Sequence, residues 1–336
     1  MEATANEIVI AKYGPAERLT LRARAADEPG PHEVTIDVRY SGINFADIQM
    51  RLGLYPEAPP KPFVPGYEVS GIVAAVGEGV TRFKVGDEVV AGTLFGGYTS
   101  KITLAEDNLF PLPQHIDLAQ GAALPVAFFT AHLALVDMGR VRKGDRVLIE
   151  CATGGVGTIA VQIAKHLGAE VVGLTTSPKK KAYIESLGAR AYTSEEFLAD
   201  KTLKDFDFVL NSSGGRSVKQ QMARLGLTGR IVCIGMSSGI ENGKRSLWRM
   251  AKTLLTMPIF PVLALFNRNQ GVFALNALRV LQDPKWVKRL TEALVLVEEM
   301  RLAPHVDRVF SSAEAPAAHE YIQTKQAKGK VLLSWN

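Results

Sequence analysis

The sequence predicts an α/β protein in which a compact, mostly β part precedes a parallel sheet flanked by helices. Three observations carry that expectation. Apolar strands alternate with helical stretches from about residue 127 onward. A glycine-rich turn joins one strand to a helix in LIECATGGVG, 148–157. Ahead of both, the first 125 residues hold short apolar runs broken by Gly and Pro.

Taken in order, EVTIDVRYSG (33–42), YEVSGIVAAVG (67–77) and DEVVAG (87–92) read as strands. Turns fall at VGEGV (76–80), KVGD (84–87) and FGGY (95–98), the last leading into TSKITLA. FADIQMRLG, from Phe45, reads as a helix. The second part opens with the strand DRVLIEC (145–151) and a helix over 157–167. VVGLTT (171–176) precedes a helix over 178–187, and DFDFVLNSS (205–213) precedes one over 216–224. GRIVCIGMS (229–237) is a further strand. Parallel strands need crossovers, so helices are expected on both faces of this sheet. After an apolar stretch, TLLTMPIFPVLALF (253–266), and a helix over 283–300, a strand-helix-strand passage runs from DRVF to KVLLSW. With no third core to join, these last elements are expected to return to the first part.

At 336 residues the chain exceeds what one hydrophobic core usually serves. It is 47% hydrophobic and 22% charged, with a net charge of +5. No long basic run or aromatic-interleaved patch points to nucleic acid. The two cysteines exclude a disulfide framework and a four-cysteine zinc site. Cys151 and Cys233 both fall in apolar strands and read as buried thiols of a reducing compartment, so a cytoplasmic location is expected. MEATANEIVI lacks a basic segment followed by an apolar one, and no signal peptide is expected. The stretch 253–266 is too short to span a bilayer and is broken by Pro258 and Pro261. It reads as core, as interface, or as an exposed apolar lip.

The turn at Gly154, Gly155, Val156 and Gly157 suits a pyrophosphate, because glycine lets the backbone approach and the helix start offers free N–H groups. Ala152 stands where the first glycine of the usual pattern would be. The next strand ends in GLTTSPKKK, with no carboxylate to accept from a ribose 2′-hydroxyl. Thr175, Ser177 and Lys179 instead offer hydroxyls and a cation for a 2′-phosphate, so NADPH is expected over NADH. The lysines also read as the solvated start of a helix.

These pieces, with SGINFADIQMRLGLYP (41–56), FVPGYEVSGIVAAVGEGV (63–80), AALPVAFFTAHLAL (122–135), NRNQGVFALN (267–276) and the closing HVDRVFSSAEAPAAHEYIQTKQAKGKVLL (305–333), carry a family resemblance. The chain resembles the zinc-free quinone oxidoreductase branch of the medium-chain dehydrogenase/reductase superfamily, and within it the VAT-1-like proteins. The resemblance implies a GroES-like β domain over 1–126, a Rossmann domain over 127–264, and a return over 265–336 that completes the catalytic domain and the cleft. Zinc-dependent relatives carry Gly-His-Glu where this chain reads Gly66-Tyr67-Glu68, and a Cys near Asn44. No metal is therefore expected.

By the same resemblance Asn44 and Tyr55 line the nicotinamide and substrate cleft as hydrogen-bond donors. Asn44 also reads as a helix cap and Tyr55 as a packed loop aromatic, while Asp47 reads as a first-turn charge. Thr130 is expected at the nicotinamide end, near the start of a helix; a bond back to its own helix is the other reading. Phe273 resembles a residue of a loop over the nicotinamide, shaped by Asn269 and Gly271. Lys330 resembles a basic residue near the cofactor phosphates, and reads equally as a solvated lysine. Asn211 and Gly235, in DFDFVLNSS and GRIVCIGMS, complete the expected cofactor contacts. One departure is Glu195, where many relatives have a tyrosine; Tyr192 is out of register. The implied activity is zinc-independent, NADPH-dependent reduction of a quinone or an α,β-unsaturated carbonyl compound by a homodimer, with the strand near 229–237 contributing to its interface. The alternative is an NADPH-binding, VAT-1-like protein that associates peripherally with membrane or lipid and has little reductase activity.

Overall fold

The computed structural model describes residues 4–236, 253 and 255–335, which fall into two compact units. One holds residues 4–126 and 303–335, and the other holds the described residues from 127 to 302.

In the first unit β1 (Thr4–Ile10) and β2 (Leu19–Ala25) form an antiparallel pair. The main sheet begins with β3 (Glu33–Ile43), β4 (Glu68–Val76), β5 (Glu88–Gly92), β6 (Lys101–Ala105) and β7 (Leu109–Pro111), all joined antiparallel. Val34, Ile36, Val38, Val69, Val73 and Val89 from these strands are buried. Such β-branched side chains suit a pleated surface that packs against a core.

The second unit is one parallel sheet. Its strands are β8 (Arg146–Ile149), β9 (Glu170–Thr175), β10 (Arg190–Thr193), β11 (Phe206–Asn211), β12 (Leu225–Cys233) and β13 (Gly271–Ala274). They lie in the order β10-β9-β8-β11-β12-β13. The chain reverses its direction of travel between β8 and β11, and crevices at such a switch point, beyond the carboxyl ends of the strands, are where open α/β sheets bind ligands. Leu148, Val172, Leu174, Phe206, Val209 and Ile231 from the sheet pack with Phe197 and Val218 from flanking helices.

The chain then returns to the first sheet. β14 (Val306–Ser311) and β15 (Lys330–Ser334) are parallel to each other, and β15 pairs antiparallel with β3. This return begins at residue 303 rather than at 265. The reason is β13, which pairs with β12 and keeps the intervening chain with the second unit. Two further expectations change with it. Phe273 lies in a strand, opposite Val232, and not in a loop. Among the described residues the edge on that side of the sheet is β13, not the strand at 229–237, of which Ser237 lies outside the described residues. The helix expected over 283–300 is two shorter ones, Pro284–Ala293 and Val295–Glu299.

In the stretch 253–266, described except at Leu254, Thr253 is buried and Met257 and Phe260 pack against the core of the second unit, while most of the remainder is exposed. Helix Val262–Arg268 has no buried residue, and Ile259 is 92% exposed. Leu255, Val262, Leu263 and Phe266 are exposed with it. No helix among the described residues is long and apolar enough to cross a membrane.

Candidate active site

In the first unit β3 ends at Ile43, and Asn44 starts the helix Phe45–Arg51 with an extended backbone. Asn44 caps that helix, in a capping box with Asp47. Its Nδ2 donates to Glu68 Oε1 at 2.9 Å, and its Oδ1 accepts from Lys330 Nζ at 2.8 Å. Lys330 also reaches Glu68 Oε1 at 2.5 Å, while Glu68 Oε2 accepts the Val126 N–H at 2.8 Å. Strand register brings the three together. Val331 pairs with Ile43, which sets Lys330 beside Asn44, and Glu68 opens the neighbouring strand β4.

This arrangement fixes the amide. A lysine only donates and a carboxylate only accepts, so the oxygen of Asn44 must face Lys330 and its nitrogen Glu68. One N–H of the partly exposed Asn44 remains for a ligand. Lys330 is neither solvated nor free: it is 5% exposed and paired with a fully buried carboxylate. The reading of a solvated lysine therefore does not hold. Glu68, which sequence reasoning passed over, had one signal, an acidic residue opening an otherwise apolar strand.

Asp47 is more than a first-turn charge. It is fully buried and accepts from the Asn44 N–H at 2.7 Å, the Gly66 N–H at 3.2 Å and the Tyr98 hydroxyl at 3.2 Å. Burial pushes its carboxyl up to about 7, against the opposing pull of those donors and of Lys330. Gly66 has φ +100°, and a Cβ there would lie 2.7 Å from the Tyr98 nitrogen, so the turn entering β4 requires glycine.

Tyr55 is half-buried, its ring 6.5 Å from that of Tyr67. Burial pushes its phenol up, while a hydrogen-bonding contact with Tyr67 works the other way. It therefore keeps its proton at neutral pH and can serve as a donor. Tyr67, in the position of the histidine of zinc-dependent relatives, is buried beside Phe95, with its hydroxyl 3.7 Å from Met50 Sδ. Among the described residues no group of three or more His, Cys, Asp or Glu could hold a metal ion.

In the second unit β8 leads through Glu150 to Thr153 into the helix Gly155–His166, with Gly154 at its cap. A Cβ on Gly157 would lie 2.1 Å from the Cys151 carbonyl oxygen, so this turn closes only with glycine there. Gly154, Gly155 and Val156 are partly exposed at the helix start, where backbone N–H groups lack intrahelical acceptors. The backbone thus forms a cradle that fits a pyrophosphate. Cys151 belongs to this turn, at φ +53°, rather than to the strand. Cys233 ends β12, and burial next to Glu150 pushes its thiol up to about 11. Glu150 was not anticipated: its Oε2 accepts the N–H groups of Ser212 and Ser213 at 2.8 and 2.9 Å, tying together the loops that follow β8 and β11.

At the end of β9 Thr175 is buried and its hydroxyl accepts the Ser177 N–H at 3.2 Å. Ser177 is partly exposed and Lys179 exposed, whereas Lys180 is buried and Lys181 pairs with Glu196. Gly235 is exposed just past β12. Asn211 ends β11. It is fully buried, donates to Ser217 Oγ and Gln221 Oε1 of the helix Arg216–Met222, and accepts from the Gly214 N–H of the loop between. Thr130 is buried in the second turn of helix Pro125–His132, not near its start.

Residues 30–114 match the alcohol dehydrogenase GroES-like domain, and residues 155–260 match the family described as zinc-binding dehydrogenase. The rat synaptic vesicle membrane protein VAT-1 homolog is 32% identical over 97% of this chain and 83% of its own length. A pig quinone oxidoreductase is 31% identical over 97% and 96%. Among solved structures, Escherichia coli quinone oxidoreductase complexed with NADPH superposes with a TM-score of 0.82 at 25% identity, covering 98% of this chain and all of the other. CurK enoyl reductase does so with 0.81 at 30% identity, covering 98% and 99%. With a GroES-like unit, a parallel nucleotide-type sheet and relatives along nearly its whole length, the chain belongs to the medium-chain dehydrogenase/reductase superfamily, among the quinone oxidoreductases and VAT-1 homologues.

Proposed function

We propose that the protein is an NADPH-dependent reductase of a quinone or an α,β-unsaturated carbonyl compound that works without zinc. The observation that carries this reading is the fixed amide of Asn44, which leaves one N–H to offer; Tyr55, in the same unit, is a phenol that keeps its proton. NADPH, when bound, supplies a hydride. The residues to hold it are the backbone of Gly154 to Gly157 for the pyrophosphate, and Ser177 and Lys179 for the 2′-phosphate. Gly235 stands at the carboxyl end of the sheet with them.

Reduction of a conjugated carbonyl at carbon leaves negative charge on its oxygen. Asn44 Nδ2–H steadies that oxygen by donation, as a fixed dipole that needs no reorganisation. Lys330 and Glu68 hold the amide in that orientation. Tyr55 O–H is the second donor and the proton source nearest to hand; for an enone the proton ends on carbon, and for a quinone on oxygen. Tyr67 and Phe95 pack around this end and limit water.

The test is NADPH oxidation by the purified protein against a panel of quinones and enones, repeated after exhaustive chelation. Turnover that persists in chelator supports the reading. No turnover with any acceptor, or turnover lost with a bound zinc, refutes it. A second reading is favoured by the exposed apolar residues from Leu255 to Phe266: peripheral association with membrane or lipid, with NADPH bound but little reduction. Sedimentation with lipid vesicles, measured beside turnover, separates the two.

A further inference from the structure

Asn44 can serve as a fixed donor only if its backbone is fixed too. The β3–β4 ladder ends at the pair Ser41 and Val69, short of both Asn44 and Gly66. Beyond that point one carboxylate spans the gap. Asp47 takes the Asn44 N–H on Oδ2 and the Gly66 N–H on Oδ1. Tyr98 then reaches Oδ2 of Asp47 with its hydroxyl, and that hydroxyl lies 3.0 Å from His319 Nε2. Asp47, Tyr98 and His319 are all fully buried, an arrangement whose desolvation cost calls for a structural or functional return.

We propose that Asp47, Tyr98 and His319 form one positioning unit for Asn44, in which Asp47 locks the Asn44 backbone to Gly66 and the Tyr98–His319 pair locks Asp47. The proposal rests on the reading of Asn44 as a donor to substrate. It also assigns a task to the helix Ala315–Gln323, which supplies His319 from the far end of the sequence.

The chain of hydrogen bonds has two senses. With Asp47 ionised, Tyr98 donates to it and His319 Nε2–H donates to Tyr98. With Asp47 protonated, its own O–H donates to Tyr98, which donates to His319 Nε2. His319 stays neutral in both, because burial and the Arg51 charge hold it down to about 3, and its Nδ1 has no partner among the described residues. The groups that face Asp47 are Lys330 from β15, Tyr98 ahead of β6, and Tyr67 and Tyr55; Arg51 and Glu68 act on Tyr98. The positioning unit is thus sensitive to pH near neutrality, through Asp47.

The experiment follows the ¹⁵N resonances of the Asn44 backbone and side-chain amides against pH in the full-length protein without cofactor. They are expected to move with a midpoint near 7 in the parent. Asp47→Asn removes the inflection, and Tyr98→Phe shifts it upward because a bond that favours the carboxylate is gone. Turnover in Asp47→Asn falls about tenfold, the scale of one hydrogen bond to a charged group, with NADPH affinity unchanged. Resonances that do not titrate in the parent, or that titrate identically in Asp47→Asn, overturn the proposal. So does an Asp47→Asn protein of unchanged turnover. If Asp47→Asn does not fold, the shifted midpoint in Tyr98→Phe decides. Because the resonance arm needs no catalysis, a protein without reductase activity sinks the functional reading while this coupling is still judged on its own.

Discussion

Lys330 Nζ lies 2.8 Å from Asn44 Oδ1, across 286 positions of sequence, and the same ammonium neutralises the buried Glu68. Removing one member of a buried pair leaves the other charge uncompensated, which costs about 3–5 kcal/mol. Lys330→Met is expected to lose that much in urea unfolding, and Glu68→Gln combined with Lys330→Met much less. A Lys330→Met protein of parental stability that binds NADPH weakly would return Lys330 to the phosphate role its sequence context implied.

Cofactor choice should follow the end of β9. Lys179→Ala is expected to weaken NADPH roughly tenfold, as fits one lost charge-assisted bond, and to leave NADH unchanged. Isothermal titration with both cofactors measures it. Equal affinities in the parent would show that the missing carboxylate alone does not select.

Tyr55→Phe keeps the ring and removes only the O–H. Loss of a donor in a dry, organised site costs roughly 10²–10³ in rate. A smaller loss is expected here, because Tyr55 is only half-buried and a quinone is readily reduced. A large loss with an enone and a small one with a quinone marks Tyr55 as the proton source for the carbon–carbon bond. Equal turnover in both assays makes it a packing residue.

What the sequence revealed and what it hid divides by distance along the chain. The turn at Gly154 to Gly157 was legible because its causes are local: a strand, a glycine that lets a helix close on the Cys151 carbonyl, and a helix start. Asp47 was misjudged because its local setting, a first helical turn, says nothing of Gly66 and Tyr98 folding over it. Lys330 was read as free or phosphate-bound because its partner sits on another strand. GVF at 271–273 is too short for periodicity to separate strand from loop, and only pairing with β12 decides. Asn211 looked available because a side chain's hydrogen-bond partners in a loop cannot be counted from composition.

His319 and Asp47 pull acid stability in opposite directions. His319 is held down to about 3, so its contribution is complete above the unfolded value of 6.5 and is lost as pH falls below it. Asp47 is raised to about 7, so its contribution is present below the unfolded value of 3.8 and is lost as pH rises through 7. Between those limits each changes stability by at most about 1.4 kcal/mol per pH unit, with opposite sign. His319→Gln should therefore gain stability on acidification relative to the parent, measured as urea midpoints down the range from 6.5 to 3.8. Parallel profiles would mean that His319 charges without penalty.

Among the described residues β13 is a sheet edge, and an open edge invites pairing. A homodimer of 36.4 kDa chains is expected in light scattering at micromolar concentration. Phe273→Lys, on that edge, should shift it toward monomer and spare NADPH affinity. Loss of NADPH binding with the dimer intact would instead put Phe273 at the cofactor.

The return of β15 to β3 gives the site a place in time as well as in space. During synthesis β6 covers β3 only over residues 33–37, and the stretch at 40–43 waits for β15. The whole second unit is made in between. Until residue 330 emerges, Glu68 has no ammonium beside it and Asn44 Oδ1 lacks its lysine donor, while the second unit can already fold, as domains do, on its own. A nascent chain would hold a finished nucleotide cradle before it holds a donor site, so cofactor binding should precede competence for turnover. Ribosome-stalled chains ending shortly before Lys330 would then bind NADPH and reduce nothing.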